Sequence, residues 1–323
     1  MLELRHGDAC VSLRITPGTA WLLTLPPLLW AGNAVVGRLL VGSVPPLLLN
    51  TLRWSLAAAL LLPLGWRVLR RPRELWRRWP ALLALGLLGV GSYNALQYLA
   101  LVTTTPINVT LIAASSPLWM LLVGALVYRE RITAAQLAGG ALSLAGVLLV
   151  IARGNAAALA RIHFVRGDLY VVLAVIAWAF YSWMLVRPPA SMRPPQQPRA
   201  CADDGTERDW NWAELLLVQM LFGLLGAAAA AGGEALLGAA PLRWNAGVAA
   251  ALLYIAVGPS IIAYRCWGLG IARGGPALAA FFSNLTPVFA ALLSAAILGE
   301  APQPFHAAAF ALIVAGIVVS ARR

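Results

Sequence analysis

The sequence contains no lysine, and charged residues of either sign are scarce. Arginine supplies all 24 basic residues, only 12 residues are acidic, and charged residues make up 11% of 323. Soluble domains carry about 25% charged residues, so this composition excludes an ordinary soluble enzyme. Three cysteines (Cys10, Cys201 and Cys266) are too few for a disulfide framework. Because mean hydropathy is +0.79, the net charge of +12 indicates residues that flank membrane helices, and no nucleic-acid partner is predicted.

Long apolar runs fill most of the chain. Apolar residues make up 61% of the sequence, and a membrane-spanning helix needs roughly 20 of them. The runs are apolar on all sides and lack strand-like alternation, which predicts an all-α integral membrane protein with ten transmembrane helices. The first run is too long for the apolar stretch of a signal peptide. The runs lie near 20–41, 47–66, 80–100, 107–128, 134–152, 169–187, 212–232, 247–271, 277–298 and 305–321.

The positions of the arginines predict an orientation. If the N-terminus is inside, the inner segments hold 17 arginines and the outer segments hold four. Cytoplasmic loops carry such an excess, so both termini are predicted to be cytoplasmic in a multi-pass protein of the inner cell membrane. The Arg-rich stretch 67–79 and the Pro-rich stretch 187–211 are predicted to lie outside the membrane, the latter as a flexible cytoplasmic loop. Arg38, Arg53 and Arg265 fall within spans.

The two halves of the chain repeat each other. Each predicted half, 20–152 and 168–321, contains five spans, and an odd number means that the second half enters the membrane from the opposite side. Inverted repeats around a central cavity are typical of transporters, in which two bundles rock about a site at their interface. The matching residues are Pro106 and Pro276, Pro117 and Pro287, and Glu130 and Glu300 at an offset of 170, and Trp30 and Trp178 at an offset of 148.

Short motifs in both halves carry a family resemblance. They are Trp30-Ala31-Gly32-Asn33, Leu52-Arg53-Trp54, Ser116-Pro117 followed by Arg129-Glu130, Thr286-Pro287 followed by Gly299-Glu300, and the Ala-Gly-Val and Ala-Gly-Ile of the fifth and tenth spans. From about residue 20 onward the chain resembles the drug/metabolite transporter superfamily, specifically proteins with two EamA domains. It departs at Trp178, which Ala-Phe-Tyr follows instead of a Gly-Asn pair, and in the longer loop 187–211.

The resemblance implies a ten-helix bundle whose central cavity is formed by four helices of each half. It further implies a permease that moves small organic metabolites, often outward, by alternating access. On this interpretation the chain is not an enzyme and needs no cofactor or metal. Its partners are a small-molecule substrate and membrane lipids.

Polar and aromatic side chains near the middle of the spans are the candidates for the cavity lining. Such groups should face protein or water and not lipid. Hydrogen bonds between helices are the alternative explanation for some of them. The candidates are Trp30, Asn33, Arg53, Tyr93, Asn94, Gln97, Tyr98, Trp119, Trp178, Tyr181, Gln219, Tyr264 and Asn284.

Arg53 is the most specific of these candidates. It lies about six residues inside the second span, roughly 9 Å deep at 1.5 Å per residue. The sequence places no acidic residue near the middle of any span that could neutralise it. A substrate anion, such as a carboxylate, would complement its planar guanidinium. Snorkelling to the membrane surface is the alternative.

Paired prolines and glutamates mark the span interiors and ends. Pro117 and Pro287 occupy matching positions inside spans, where proline leaves a carbonyl unpaired, so both are candidates for helix breaks that act in gating. Glu130 and Glu300 follow span ends. There a structural anchor, paired with arginine or with helix amides, is favoured over a proton-coupling carboxylate.

Two other functions share parts of this pattern. A lipid or lipid-linked carrier or flippase of the same fold is the first alternative. An intramembrane hydrolase is the second, but the sequence has no His-Glu-x-x-His motif. For Ser260 of Gly258-Pro259-Ser260, His163 and His306 lie in a predicted outer loop and at a predicted outer helix end and not inside a span. Small residues at a spacing of four in the fifth and tenth spans predict close helix packing, without deciding whether the packing partner belongs to the same chain.

Overall fold

A computed structural model describes residues 16–40, 42–100, 103–104, 109, 112–152, 154–155, 165–192, 210–239, 241–298 and 303–322. These residues are mostly helical, and none of them lies in a strand. Numbered along the chain, the helices are α1 (Pro17–Leu39), α2 (Pro46–Gly65), α3 (Pro72–Gly86, Leu87–Ser92 and Tyr93–Ala100), α4 (Ser116–Tyr128), α5 (Ala134–Ile151), α6 (Arg166–Val186), α7 (Trp212–Leu236), α8 (Ala246–Ile255, Ala256–Ile262 and Ala263–Ser283), α9 (Thr286–Leu298) and α10 (Pro304–Ser320).

Several helices are long enough to cross a bilayer. In the described part of the chain, seven helices are sufficiently long and apolar to span a membrane, and the apolar helices α4 and α10 are shorter. The Arg-rich stretch, predicted to lie outside the membrane, is itself helical. It forms a 3-10 turn over Trp66–Arg70 and the first turns of α3.

Each of α3 and α8 contains a segment of wider π-helix. The segments are Leu87–Ser92 and Ala256–Ile262, so their starts are 169 residues apart and their ends 170 residues apart. A π segment places one extra residue in a turn and is frequent at functional sites. In α8 the segment contains Pro259, whose missing N–H removes one hydrogen bond of a regular helix.

Two predicted spans are interrupted. The runs 107–128 and 277–298 were expected to be continuous, but α4 and α9 begin after turns at 114–115 and 284–285. Pro117 and Pro287 are therefore the second residues of α4 and α9, and not residues inside a continuous span as predicted. Proline is tolerated there because the first amides of a helix have no partner in any case. Gly275, with φ 79° and ψ 157°, bends α8 in a conformation that only glycine adopts easily.

The helices pack in a pattern that pairs the two halves. α1 packs against α8 and α9, and α6 packs against α3 and α4. α2 lies along α7, and α5 lies along α10. If each helix of one half is matched to the helix five places along in the other half, the contacts correspond. The α1–α8 and α1–α9 contacts match α6–α3 and α6–α4, and the α2–α7 and α5–α10 pairs each join matching helices.

Glycines allow the α5–α10 pair to approach closely. A Cβ at Gly139 would lie 2.5 Å from the carbonyl oxygen of Gly316, and a Cβ at Gly316 would lie 2.6 Å from that of Gly139. Of the small residues at a spacing of four, Gly139 and Ser143 of α5 lie in this contact, within one chain. The predicted face of α10 is wrong: Ala307, Ala311 and Ala315 are exposed, and Gly316 and Ser320 meet α5 instead.

Candidate functional site

Six aromatic rings meet where α1, α3, α6 and α8 come together. Trp178 of α6 contacts the rings of five others, with centroid separations of 5.1 to 5.6 Å. These edge-on and tilted contacts are the arrangements that aromatic pairs prefer. We call this set the ring cluster, and its members are Trp30, Tyr93, Trp178, Tyr181, Tyr264 and Trp267.

Hydrogen bonds hold several of these rings in place. The indole N–H of Trp30 donates to the carbonyl of Pro259 at 3.2 Å, and that of Trp267 donates to Ser182 Oγ at 3.1 Å. The Tyr181 hydroxyl donates to Gln219 Oε1 at 3.0 Å. The rings are therefore oriented by their polar ends as well as by packing.

The π segment of α3 shapes one wall of the ring cluster. The Tyr264 hydroxyl donates to the carbonyl of Gly89. A Cβ at Gly89 would lie 2.5 Å from a ring carbon of Tyr181, so glycine is required for this approach. One glycine thus contacts two tyrosines of the ring cluster, from α6 and α8.

Arg53 lies beside the ring cluster and is almost completely buried, with 1% of its surface exposed. Its Nε donates to Ser260 Oγ at 3.1 Å and its Nη1 donates to Asn94 Oδ1 at 3.3 Å. The guanidinium lies 4.8 Å from the ring centroid of Trp54, and Trp54 in turn contacts Tyr264 at 5.1 Å. Among the described residues, no carboxylate forms an ion pair with Arg53.

Two buried polar atoms lack a hydrogen-bond partner, one beside Arg53 and one on α1, three residues after Trp30. They are the indole nitrogen of Trp54 and Oδ1 of Asn33. A buried polar group without a partner costs free energy, so each atom is suited to a bound polar molecule. The Trp54 N–H is a donor, and it is next in sequence to Arg53, whose guanidinium carries only donors.

Other predicted site residues lie elsewhere or make different contacts. Asn284 Nδ2 donates to Ser143 Oγ at 2.8 Å and so ties the turn before α9 to α5. The indole of Trp119 donates to Ser115 Oγ at 3.1 Å beside the turn before α4. Gln97 is half-buried on α3. The side chain of Tyr98 and the whole of Glu300 lie outside the described residues.

Glu130 forms an exposed ion pair outside the ring cluster. It pairs with Arg187 at the end of α6, and Arg187 also donates to the carbonyl of Tyr128 at 3.0 Å. A cavity of about 220 Å³ adjoins this pair and extends to Gly275 and Ser320. We call it the end cavity. The prediction of a structural anchor at Glu130 fits this placement, and its role stays a prediction.

Sequence reasoning missed four contributors to the site. They are Trp54, Gly89, Ser260 and Trp267. No residue pattern in the sequence predicted the π segments or identified which ring would face which. Ser260 Oγ also donates to the carbonyl of Ile255 at 2.9 Å, so its described partners are this carbonyl and Arg53, and neither is a base that could activate a nucleophile.

Sequence comparison identifies the family. The model of the EamA-like transporter family matches residues 18–152 and 204–322, which is most of the chain in two segments. The chain belongs to the EamA-like transporter family. It is accordingly an integral, multi-pass membrane protein and a membrane transporter with two EamA repeats, and members of this family are transporters rather than enzymes.

Named relatives cover nearly the full length. The aromatic amino acid exporter YddG of Ancylobacter novellus is 29% identical over 301 residues, which cover 91% of this chain and 93% of that protein. A probable terminal-alkyne amino-acid exporter of Streptantibioticus cattleyicolor is 26% identical, and the match covers 94% of this chain and 93% of that protein. A transporter of Archaeoglobus fulgidus is 27% identical, and the match covers 94% of this chain and 96% of that protein. The fold is also similar to a crystal structure, with a TM-score of 0.70 and 27% sequence identity. The superposition covers 93% of this chain and 95% of the chain in that structure.

Proposed function

We propose that this protein is a secondary transporter, working as an exporter, of a small organic metabolite that carries a carboxylate. The substrate binds beside Arg53 and the ring cluster. Transport proceeds by alternating access between two inverted five-helix halves, residues 20–152 and 168–321. The protein lies in the cytoplasmic membrane with both termini inside.

The single observation that carries the proposal is the burial of Arg53. Its described contacts are a hydroxyl, an amide oxygen and an indole ring, all of them neutral. A buried charge without a counter-charge is costly, even with good hydrogen bonds. A substrate carboxylate would supply the missing charge, and the unpartnered N–H of Trp54 would add a second donor.

The ring cluster favours a substrate with an apolar or aromatic body. Its rings expose π faces and edges that stack on flat groups, and their electron-rich faces attract an ammonium group. A compound with a carboxylate, an ammonium and an aromatic side chain fits all three features. Two relatives are named as amino-acid exporters, which agrees with this class of substrate.

The packing supports the inverted repeat. The contacts of α1 with α8 and α9 correspond to those of α6 with α3 and α4. The α2–α7 and α5–α10 contacts each join two helices at matching positions of the two halves. The two π segments also recur at about the same offset as the sequence repeat. A pseudo-twofold axis between the halves accounts for both facts. Because the rings touch one another, a substrate has to separate them, and such a movement belongs to an alternating-access cycle.

The end cavity supports the topology. Its residues come from the α4–α5 connection, the end of α6, the bend in α8 and the end of α10. The arginine distribution predicts that all four segments lie on the cytoplasmic side. Their meeting at one end of the bundle is what ten alternating spans require.

Counterflow into proteoliposomes tests the substrate class. The probes are tryptophan, tryptamine, which lacks the carboxylate, and indole-3-propionate, which lacks the amine. We expect uptake of tryptophan and indole-3-propionate and little uptake of tryptamine. Arg53→Gln should abolish uptake, and Arg53→Lys should weaken it because lysine keeps the charge but loses the planar fork.

Arg265→Gln is the matched control. Arg265 also lies in a predicted span, but its guanidinium stacks 4.8 Å from the ring centroid of Trp212 and not in the ring cluster. It should leave uptake nearly unchanged. Normal transport by a well-folded Arg53→Gln would refute the carboxylate site. Counterflow of a labelled phospholipid, with none of the indole compounds, would instead favour the lipid-carrier alternative.

A further inference from the structure

The connection between α2 and α3, together with the first turns of α3, carries the densest positive charge in the sequence. Residues 66–79 include six arginines and one glutamate, a net charge of +5, together with three tryptophans. Arg67, Arg70 and Arg73 are exposed. We call residues 66–79 the Arg/Trp collar.

The tryptophans of the collar are also exposed. Trp76 exposes 78% of its surface, and its ring lies 6.5 Å from that of Trp79. On α3, Arg73, Trp76 and Arg77 share one face because they are three and four residues apart. The opposite face packs inward through Leu82 and Leu85. An exposed tryptophan is costly in water and favourable at the level of lipid headgroups.

A concave notch lies within the collar. It measures about 300 Å³ and is lined by Arg70, Arg71, Pro72, Arg73 and Glu74. Glu74 is already engaged, since it lies 3.6 Å from Arg71 and accepts a hydrogen bond from the Trp210 indole at 2.9 Å. The notch therefore presents mainly positive charge to whatever fills it.

We propose that the Arg/Trp collar binds anionic phospholipid headgroups at the membrane surface. Arginine complements phosphate, and the exposed indoles lie at the depth of the headgroups beside it. Clusters of basic residues next to a membrane helix attract anionic lipids in this way. The leaflet follows from the proposed orientation and is the cytoplasmic one. The site itself does not depend on which substrate is transported.

Lipid titration of the purified, full-length protein tests this proposal. Thermal unfolding in dodecyl maltoside is followed while dioleoylphosphatidylglycerol or dioleoylphosphatidylcholine is added. We expect phosphatidylglycerol to raise the unfolding temperature at lower concentration than phosphatidylcholine, and salt to weaken the difference. Arg67→Gln/Arg73→Gln should weaken the apparent affinity for phosphatidylglycerol by roughly thirtyfold, at about fivefold for each charge removed.

Two further variants separate charge from folding. Arg67→Lys/Arg73→Lys keeps the charge and should retain most of the affinity. Arg166→Gln/Arg243→Gln removes two exposed arginines of segments predicted to lie on the outer side, and it should change nothing. Equal responses to the two lipids, an unchanged affinity in Arg67→Gln/Arg73→Gln, or an equal loss in the control would each overturn the proposal. None of these readouts uses transport, so they stand apart from the test of the proposed function.

Discussion

The indole ring of Trp30 meets that of Trp178 edge to face, with 5.4 Å between the centroids and 87° between the planes. These two tryptophans occupy matching positions in the two sequence repeats, in α1 and α6. Their contact thus joins the halves at equivalent points. In the alternating-access cycle that we propose, this contact has to change each time the halves move.

The first prediction concerns the central position of Trp178. Trp178→Phe removes part of a ring that touches five others, while the aromatic character stays. We expect the half-saturating concentration of the substrate in proteoliposome uptake to rise by about tenfold, for a loss of about 1.4 kcal/mol of binding free energy. Concentration-dependent initial rates measure this change.

Phe281→Leu is the control for a general loss of packing. Phe281 is fully buried in α8 and is not part of the ring cluster. We expect this variant to lower the unfolding temperature and to leave the half-saturating concentration near that of the parent. If both variants weaken substrate affinity equally, the ring cluster is ordinary core packing and not a binding site.

The second prediction concerns the helix breaks before α4 and α9. Pro117 and Pro287 stand in the first turn of each helix, two residues after a turn. Alanine restores an N–H at each position and lets the chain form a continuous helix across the turn. We expect Pro117→Ala and Pro287→Ala each to slow transport severalfold while the protein stays folded. Pro80→Ala, on the exposed side of α3, is the control. Normal rates in both matched variants would mean that the breaks are static.

The third prediction compares two adjacent glycines of α5. A Cβ at Gly139 would meet the backbone of α10 at 2.5 Å, whereas at Gly140 the nearest atom, in Phe281, is 3.6 Å away. Gly139→Ala should therefore force the helices apart and cost about 1–3 kcal/mol of the free energy of unfolding. Gly140→Ala should be neutral or slightly stabilising, because alanine favours the helix. Unfolding in a detergent-solubilised sample measures both. Similar effects of the two substitutions would argue against the tight α5–α10 contact.

The sequence predicted much of the fold because its strongest signals are compositional and periodic. Runs of apolar residues identify helices in a membrane. The paired prolines were predicted to lie inside two spans, whereas the structure places them in the first turns of α4 and α9. The π segments were not predicted. The contacts made by these segments, Tyr181 on Gly89 and Arg53 to Ser260, join distant parts of the chain, and no local pattern shows them.

The sequence predicted only some residues of the candidate site, because the site too depends on contacts between distant parts of the chain. Arg53, Asn94 and Trp178 stood out because polar or large aromatic groups are unusual at their depth. Trp267 was overlooked because one more tryptophan in an apolar helix has no distinctive pattern. Asn284, which looked similar to Asn94, instead binds Ser143 between α8 and α5. Residue type and depth do not encode the direction in which a side chain points around its helix.

The last prediction concerns the ion pair at the end cavity. Glu130 belongs to the first half and Arg187 to the second, so their pairing holds the halves together at one end. Both side chains are nearly half exposed, and exposed pairs contribute about 0.2–1 kcal/mol. An effect on the conformational equilibrium should therefore reach about fivefold at most. We expect Glu130→Gln to change the apparent substrate affinity by this factor. Arg187→Gln also loses the hydrogen bond to the Tyr128 carbonyl, so the double variant should behave like Arg187→Gln alone, because the ion pair is already broken in it. High salt should produce a similar change in the parent. Arg71→Gln removes a partner of Glu74 at the start of α3 and should leave the affinity unaltered. Additive effects in the double variant would show that the two residues act independently and that their ion pair does not hold the halves together.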